Sequence, residues 1–216
     1  MRKVYIFGGL GADKRVFKYV DFGKDIEPVF INWLIPKSTD TIDNYLQKIK
    51  PQITDERPLL IGLSFGGMLA VEYAKKYPYQ KVILISSIKS KYELPIYYRL
   101  LGWIRTPIWF PLSWLKKGNF ITNRFFGLKS KTEKLLLKSI LRDTPESFFR
   151  WALHRISVWN NKEIPKNLIH IHGNRDRIIP YRLINVDITI DNGGHFLIVN
   201  KALEISRILK DILKDS

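Results

Sequence analysis

Apolar, β-branched runs recur along the chain at 3–7, 29–33, 59–63, 82–85, 168–171 and 186–190, each closed by a turn signal. Continuous runs of this kind, with no polar alternation, suit strands buried on both faces of a sheet. Between several of them the period becomes helical. Ile42, Leu46 and Ile49 are spaced by four and three within 40–50, and Leu69, Ala70, Tyr73 and Ala74 share a face of 66–77. Leu203, Ile205, Ile208, Leu209 and Ile212 repeat the pattern over 201–213. Strands alternating with helices predict an α/β fold: a mostly parallel six-stranded sheet with helices on both faces.

The alternation breaks between residues 88 and 160. That window reads as helices, one over 132–142 (Leu135, Leu136, Ile140) and another starting near the cap signal Thr144-Pro145-Glu146. It holds 14 Lys/Arg against 4 Asp/Glu, and 14 of the 28 aromatic residues, among them Trp103, Trp109, Trp114, Trp151 and Trp159. The economical reading is a core of residues 1–87 and 161–216 interrupted by a helical insertion at 88–160. The longest apolar stretch, 100–115, contains Arg105, Pro107 and Pro111. It falls short of the roughly 20 apolar residues that a spanning helix needs.

Composition narrows the chemistry. A chain of 216 residues fits one domain with a substantial core. It contains no cysteine, which excludes disulfides, thiolate metal sites and cysteine nucleophiles, and fits a reducing, cytoplasmic location. The basic start Met1-Arg2-Lys3 is followed by an apolar run too short for a secretory signal, ending at Gly8-Gly9. A net charge of +16 admits nucleic acid, an anionic membrane surface or an acidic substrate as partner. Lys116, Lys117, Arg124, Lys129, Lys131, Lys134 and Lys138 read first as a solvated face.

The candidate chemistry begins at Gly62-Leu63-Ser64-Phe65-Gly66-Gly67, directly after the run 59–63 and at the start of a helical pattern. In this G-x-S-x-G arrangement a strand turns sharply into a helix, and small neighbours let the turn close around a strained serine. A glycine turn that merely contains a serine would look the same. Two further segments shift the balance. His172-Gly173-Asn174-Arg175-Asp176 follows one strand run and Asp191-Asn192-Gly193-Gly194-His195 follows the next. Both therefore lie at C-terminal strand ends, where open parallel sheets bind ligands. A serine hydroxyl needs a base, which His195 can be near pH 7, and Asp176 would hold the imidazole tautomer. For a developing oxyanion the donors would be the backbone N–H of Phe65 and that of Leu10, in the loop Gly8-Gly9-Leu10-Gly11. Asp191 suits a turn-shaping role better than that of the acid. Arg175 and Arg177 flank Asp176 and would favour its ionised form. His154 and His170 read as structural. No metal-ligand spacing, dinucleotide fingerprint or phosphate loop is present, so no metal and no cofactor is expected.

On these residues the chain resembles the α/β-hydrolase superfamily, along nearly its whole length. The resemblance rests on the elbow at Ser64, the acid loop from His172 to Asp176 and the Gly194-His195 pair. It implies that 88–160 is a helical lid and that the chain begins at the equivalent of the family's third strand. Gly8-Gly9 replaces a His-Gly common in the family.

Three functions compete. The first is a serine hydrolase acting on a small-molecule carboxylic ester or thioester with an apolar acyl part. The second keeps the scaffold and runs lyase or other acid–base chemistry. The third is a basic protein binding anionic lipid or nucleic acid. No nucleic-acid motif appears, and no nucleic-acid partner is expected. A Trp-rich, basic lid also suits peripheral contact with an anionic membrane. The oligomeric state is not legible.

Overall fold

The computed structural model describes residues 1–10, 12–98 and 120–214. Gly11, Trp103, Trp109, Trp114, Lys116, Lys117 and the whole apolar stretch 100–115 lie outside them.

Six strands form one sheet in the order β2-β1-β3-β4-β5-β6. They are β1 (Arg2–Phe7), β2 (Ile26–Phe30), β3 (Leu59–Leu63), β4 (Lys81–Ile85), β5 (Leu168–Gly173) and β6 (Ile188–Ile190). Every neighbouring pair is parallel. Side chains alternate across a strand, so each apolar run feeds two cores. Val4, Ile6, Ile61, Ile83 and Ile171 face one core. Tyr5, Phe7, Leu60, Val82 and Leu84 face the other.

Helices α1 (Ile42–Ile49) and α2 (Phe65–Lys76) cover the second face, burying Tyr45, Leu46, Ile49, Met68, Leu69 and Tyr73. Thr41 starts α1 with a reciprocal cap to Asn44. The last helices, α6 (Leu197–Asn200) and α7 (Ala202–Lys214), cover the first face. The buried stripe of α7 is Ala202, Ile205, Ser206, Leu209, Ile212 and Leu213, at spacings of three and four, whereas Leu203 is 79% exposed. The expected apolar set for this helix was therefore wrong by one member, because Leu203 sits two residues from Ile205 and turns away from its face.

The strand expected at 29–33 lies three residues earlier. Pairing with β1 sets its register, Ile26 opposite Arg2 and Phe30 opposite Ile6. Pro28 is tolerated because β2 is an edge strand and needs no outward donor. The apolar residues beyond it have another use: Trp33 packs against Tyr45, Phe65 and Phe148 at centroid distances of 6.3, 6.4 and 5.3 Å. Strand β6 is shorter than the run 186–190, because the Asp187 carboxylate takes the His170 N–H at 2.7 Å where ladder pairing would otherwise start.

Between β4 and β5 lie α3 (Phe120–Phe126), α4 (Lys131–Asp143) and α5 (Glu146–Ser157). Ser130 and Glu133 cap α4 reciprocally. Thr144 does not cap α5 as its sequence suggests; its hydroxyl donates back to the Ile140 carbonyl at 2.8 Å and closes α4. The insertion shares the core instead of standing apart from it. Leu137, Ile140, Leu141 and Phe149 join one cluster, and Phe148, Trp151 and Ala152 join the other. Trp151 Nε1 donates to the Asp40 carbonyl and Trp159 Nε1 to Glu72, each at 2.7 Å. Among the described residues no helix is long and apolar enough to cross a membrane.

Candidate active site

The chain leaves β1 toward β2 on one side and returns to β3 on the other, so the crevice between the C-terminal ends of β1 and β3 is a topological switch point. Ser64 stands there, between β3 and α2, with φ 51° and ψ −120°. That left-handed conformation costs a non-glycine residue about 1–3 kcal/mol and persists only where its surroundings enforce it. The enforcement is visible in two contacts. A Cβ on Gly62 would lie 2.3 Å from Gly67 Cα, and one on Gly66 would lie 2.1 Å from the Gly8 carbonyl oxygen. The elbow can close only with glycine at both positions. Ser87 adds a strut, its hydroxyl donating to the Ser64 carbonyl at 2.6 Å.

Asp176 and His195 follow the ends of β5 and β6, and their loops are stitched together. Arg175 N–H donates to the Gly193 carbonyl at 2.9 Å, and Asn174 Nδ2 donates to Asp191 at 2.8 Å. Asp191 thus shapes the loop that carries His195. Within this frame the structure brings all three sequence-predicted side chains together. Ser64 Oγ lies 2.9 Å from His195 Nε2, and His195 Nδ1 lies 2.7 Å from Asp176 Oδ2. A carboxylate only accepts, so Nδ1 carries the proton and Nε2 presents a lone pair to the serine hydroxyl.

Asp176 is 5% exposed and both of its oxygens accept hydrogen bonds. Oδ1 accepts the backbone N–H groups of Ile178 and Ile179 at 2.8 and 2.9 Å. Oδ2 accepts from His195 and, at 3.2 Å, faces His172 Nε2. Burial alone would push its pKa up and favour the neutral form; the electrostatic pull of His195 and the hydrogen bonds from His172 and His195 outweigh it and hold the carboxyl well below its ordinary range. The flanking arginines expected to do this are exposed, and the work falls to His195 and, after it, to His172, whose part the sequence did not announce. Behind it, His170 packs edge-to-face on His172 with ring centroids 5.4 Å apart. Burial, then the neighbouring His172 and Lys89, pushes His170 down to about 3.

The two candidate oxyanion donors flank Ser64. Phe65 is the first residue of α2, and the N–H groups of a first helical turn have no intrahelical partner. The loop after β1 presses on the elbow so closely that a Cβ on Gly9 would lie 3.2 Å from Ser64 Cβ, and Leu10 lines the same cavity as Ser64.

That cavity has a volume of about 270 Å³. Ser64 and His195 form its polar floor, and its walls include Tyr98, Phe125, Phe126, Phe149 and Leu153. Phe126 stands edge-on to the His195 ring at 5.6 Å. Most of the wall comes from the insertion, including rings from its aromatic-rich sequence. The only sequence signal for Tyr98 and Phe126 was aromatic enrichment, which does not say which ring faces a cavity. Among the described residues no group of three or more His, Cys, Asp or Glu is placed to hold a metal ion.

A switch-point serine on a glycine elbow, over a parallel sheet of this strand order, defines a class, and the sequence carries the same signature. The chain belongs to the alpha/beta hydrolase family, whose profile matches residues 22–206. No curated protein matches it by sequence. Among solved structures, a hydrolase from Oleispira antarctica superposes with a TM-score of 0.76 at 11% identity, over 100% of this chain and 92% of that one. The enol-lactonase from Burkholderia xenovorans gives 0.73 at 12% identity, covering 99% and 91%. A carboxylesterase structure from Nitrososphaera gives 0.72 at 13%, covering 99% and 90%. At such identities the likeness is one of fold.

Proposed function

We propose that the protein is a serine hydrolase that cleaves a carboxylic ester or thioester with an apolar acyl group. The observation that carries this reading is the hydrogen-bonded line from Ser64 Oγ through His195 to Asp176, opening on an apolar cavity. Ser64 Oγ attacks the acyl carbon while His195 Nε2 takes its proton, and buried Asp176 stabilises the imidazolium. The Phe65 and Leu10 N–H groups receive the charge that develops on the carbonyl oxygen. The C–O or C–S bond then breaks as His195 returns the proton to the leaving alcohol or thiol. A water molecule, deprotonated by the same imidazole, attacks the acyl-enzyme, releases the acid and restores the serine. Residues 88–160 act as the lid of this site and supply its acyl-binding wall. The absence of cysteine supports a cytoplasmic setting. Carboxylesterase and enol-lactonase activities on the same fold support ester-type chemistry.

The test is turnover of p-nitrophenyl butyrate. Ser64→Ala should lower kcat by at least about 10³-fold with an unchanged melting profile; activity retained within tenfold would overturn the assignment.

A further inference from the structure

Beside the apolar cavity, and sharing Arg177 with it, lies a second cavity of about 340 Å³ of opposite character. Five cations line it: Arg124, Lys129, Lys134, Arg175 and Arg177. Among the described residues none of them is in an ion pair. The carboxylates nearby are turned elsewhere. Glu133 Oε2 accepts the Lys129 N–H at 2.7 Å to cap α4, and Asp191 accepts from Asn174 at 2.8 Å. Uncompensated like charges repel, and an anion among them relieves the repulsion.

The position of this groove matters as much as its charge. Its wall includes Asn192 and Gly194, on the loop that carries His195, and Arg177 lines both this groove and the acyl cavity. Arg177 also donates to the Arg124 carbonyl at 3.4 Å, spanning from the core to α3. An imidazole that returns its proton to a leaving group requires that group to lie on its own side of the reacting carbon. Gly194, adjacent to His195, and the shared Arg177 set the basic groove next to that imidazole.

We propose that the groove holds the leaving half of the substrate, and that the enzyme acts on acyl esters or thioesters whose alcohol or thiol part bears phosphate. The acyl chain occupies the apolar cavity and the phosphate meets the arginines and lysines, with guanidinium forks suited to its oxygens. This rests on the hydrolase reading above. It replaces, for Arg124, Lys129 and Lys134, the expectation of a merely solvated face.

The experiment compares four octanoyl or long-chain substrates. Octanoyl-coenzyme A and lysophosphatidylglycerol carry phosphate; octanoyl-N-acetylcysteamine and p-nitrophenyl octanoate do not. The variant combines Arg124→Gln, Lys129→Gln, Lys134→Gln and Arg175→Gln, all exposed positions, and leaves Arg177 because it borders the acyl cavity. The ratio of kcat/KM for a phosphate-bearing substrate to that for its neutral counterpart should fall about tenfold or more, as expected when charge-assisted contacts to phosphate are lost. Whichever phosphate substrate shows the larger fall identifies the source, nucleotide thioester or phospholipid. A ratio unchanged for both overturns the proposal, and so does a variant that loses only its binding to phosphatidylglycerol vesicles, which would make the groove a membrane contact. If the unaltered protein turns over none of the four, the hydrolase reading fails separately. Calorimetric titration with octanoyl-coenzyme A then decides the groove: binding at least about tenfold weaker in the variant supports it, and no binding overturns it.

Discussion

The floor and the wall of the site are built on different terms. The floor, from the β1, β3, β5 and β6 ends, is held by contacts that tolerate no change: glycines facing carbonyl oxygens at less than 2.5 Å from a notional Cβ, and a buried carboxylate holding three hydrogen bonds. The wall, from α3 to α5, is made of apolar side chains whose contacts are interchangeable in kind. In the proposed hydrolase, one region would fix where protons and charge go, and the other what fits beside them. Chemistry and selectivity in this molecule should therefore be separable by mutation.

The largest effect should come from the floor. Gly66→Val would drive a side chain into the Gly8 and Phe7 carbonyls, at 2.1 and 2.2 Å from the added Cβ. Since neither backbone can withdraw without breaking β1, the loss should exceed about 4 kcal/mol, or leave no folded protein, by urea denaturation. A loss below 1 kcal/mol would mean that the elbow is not the rigid turn described. The second effect is on stability against acid. The folded protein holds His170 neutral down to about 3, whereas the unfolded chain takes up that proton below its ordinary value near 6.5. Stability is therefore complete above that value and falls as pH drops toward 3, by up to roughly 1.4 kcal/mol per pH unit. Urea midpoints at pH 7 and 4.5 should show the decline, and His170→Leu should flatten it.

Next in size is the support of Asp176. His172→Leu removes one of the groups facing Oδ2 and should lower kcat about tenfold, with the acid limb of the rate profile moving to higher pH as the carboxyl is released from its depressed value. His172→Gln, which keeps a donor, should restore most of both; a purely structural role would move stability and leave the profile in place. The smallest effect belongs to the wall. Leu153→Trp fills part of the cavity and should reduce kcat/KM for a decanoyl ester about fivefold relative to an acetyl ester, the scale of a few methylenes lost from an apolar pocket. An equal loss on both esters would erase the distinction between floor and wall.

How much of this could be read from the chain follows the same division. The elbow, the acid loop and the His195 loop were legible because steric closure leaves glycine few substitutes, and the central strands because continuous apolar runs have few other uses. Edge strand β2 was misplaced because Val29 to Trp33 look like a strand while Trp33 fills the space beside Phe148. Ser87 and His172 escaped notice because their partners, the Ser64 carbonyl and Asp176 Oδ2, are defined only by the turn each chain segment makes. In the insertion, Leu135, Leu136 and Ile140 announced α4, but adjacent Phe125 and Phe126 hide the period of α3. Which aromatic rings face the cavity depends on packing that no local pattern encodes.

The central claim is that the Ser64 hydroxyl is activated through His195 and reachable from the apolar cavity. Intact-mass measurement after exposure to a fluorophosphonate bearing an alkyl chain tests this most directly. A single adduct mapping to Ser64 is expected, absent in Ser64→Ala and at least about 10²-fold slower to form in His195→Ala. An unlabelled protein, or an adduct on another residue, would contradict it.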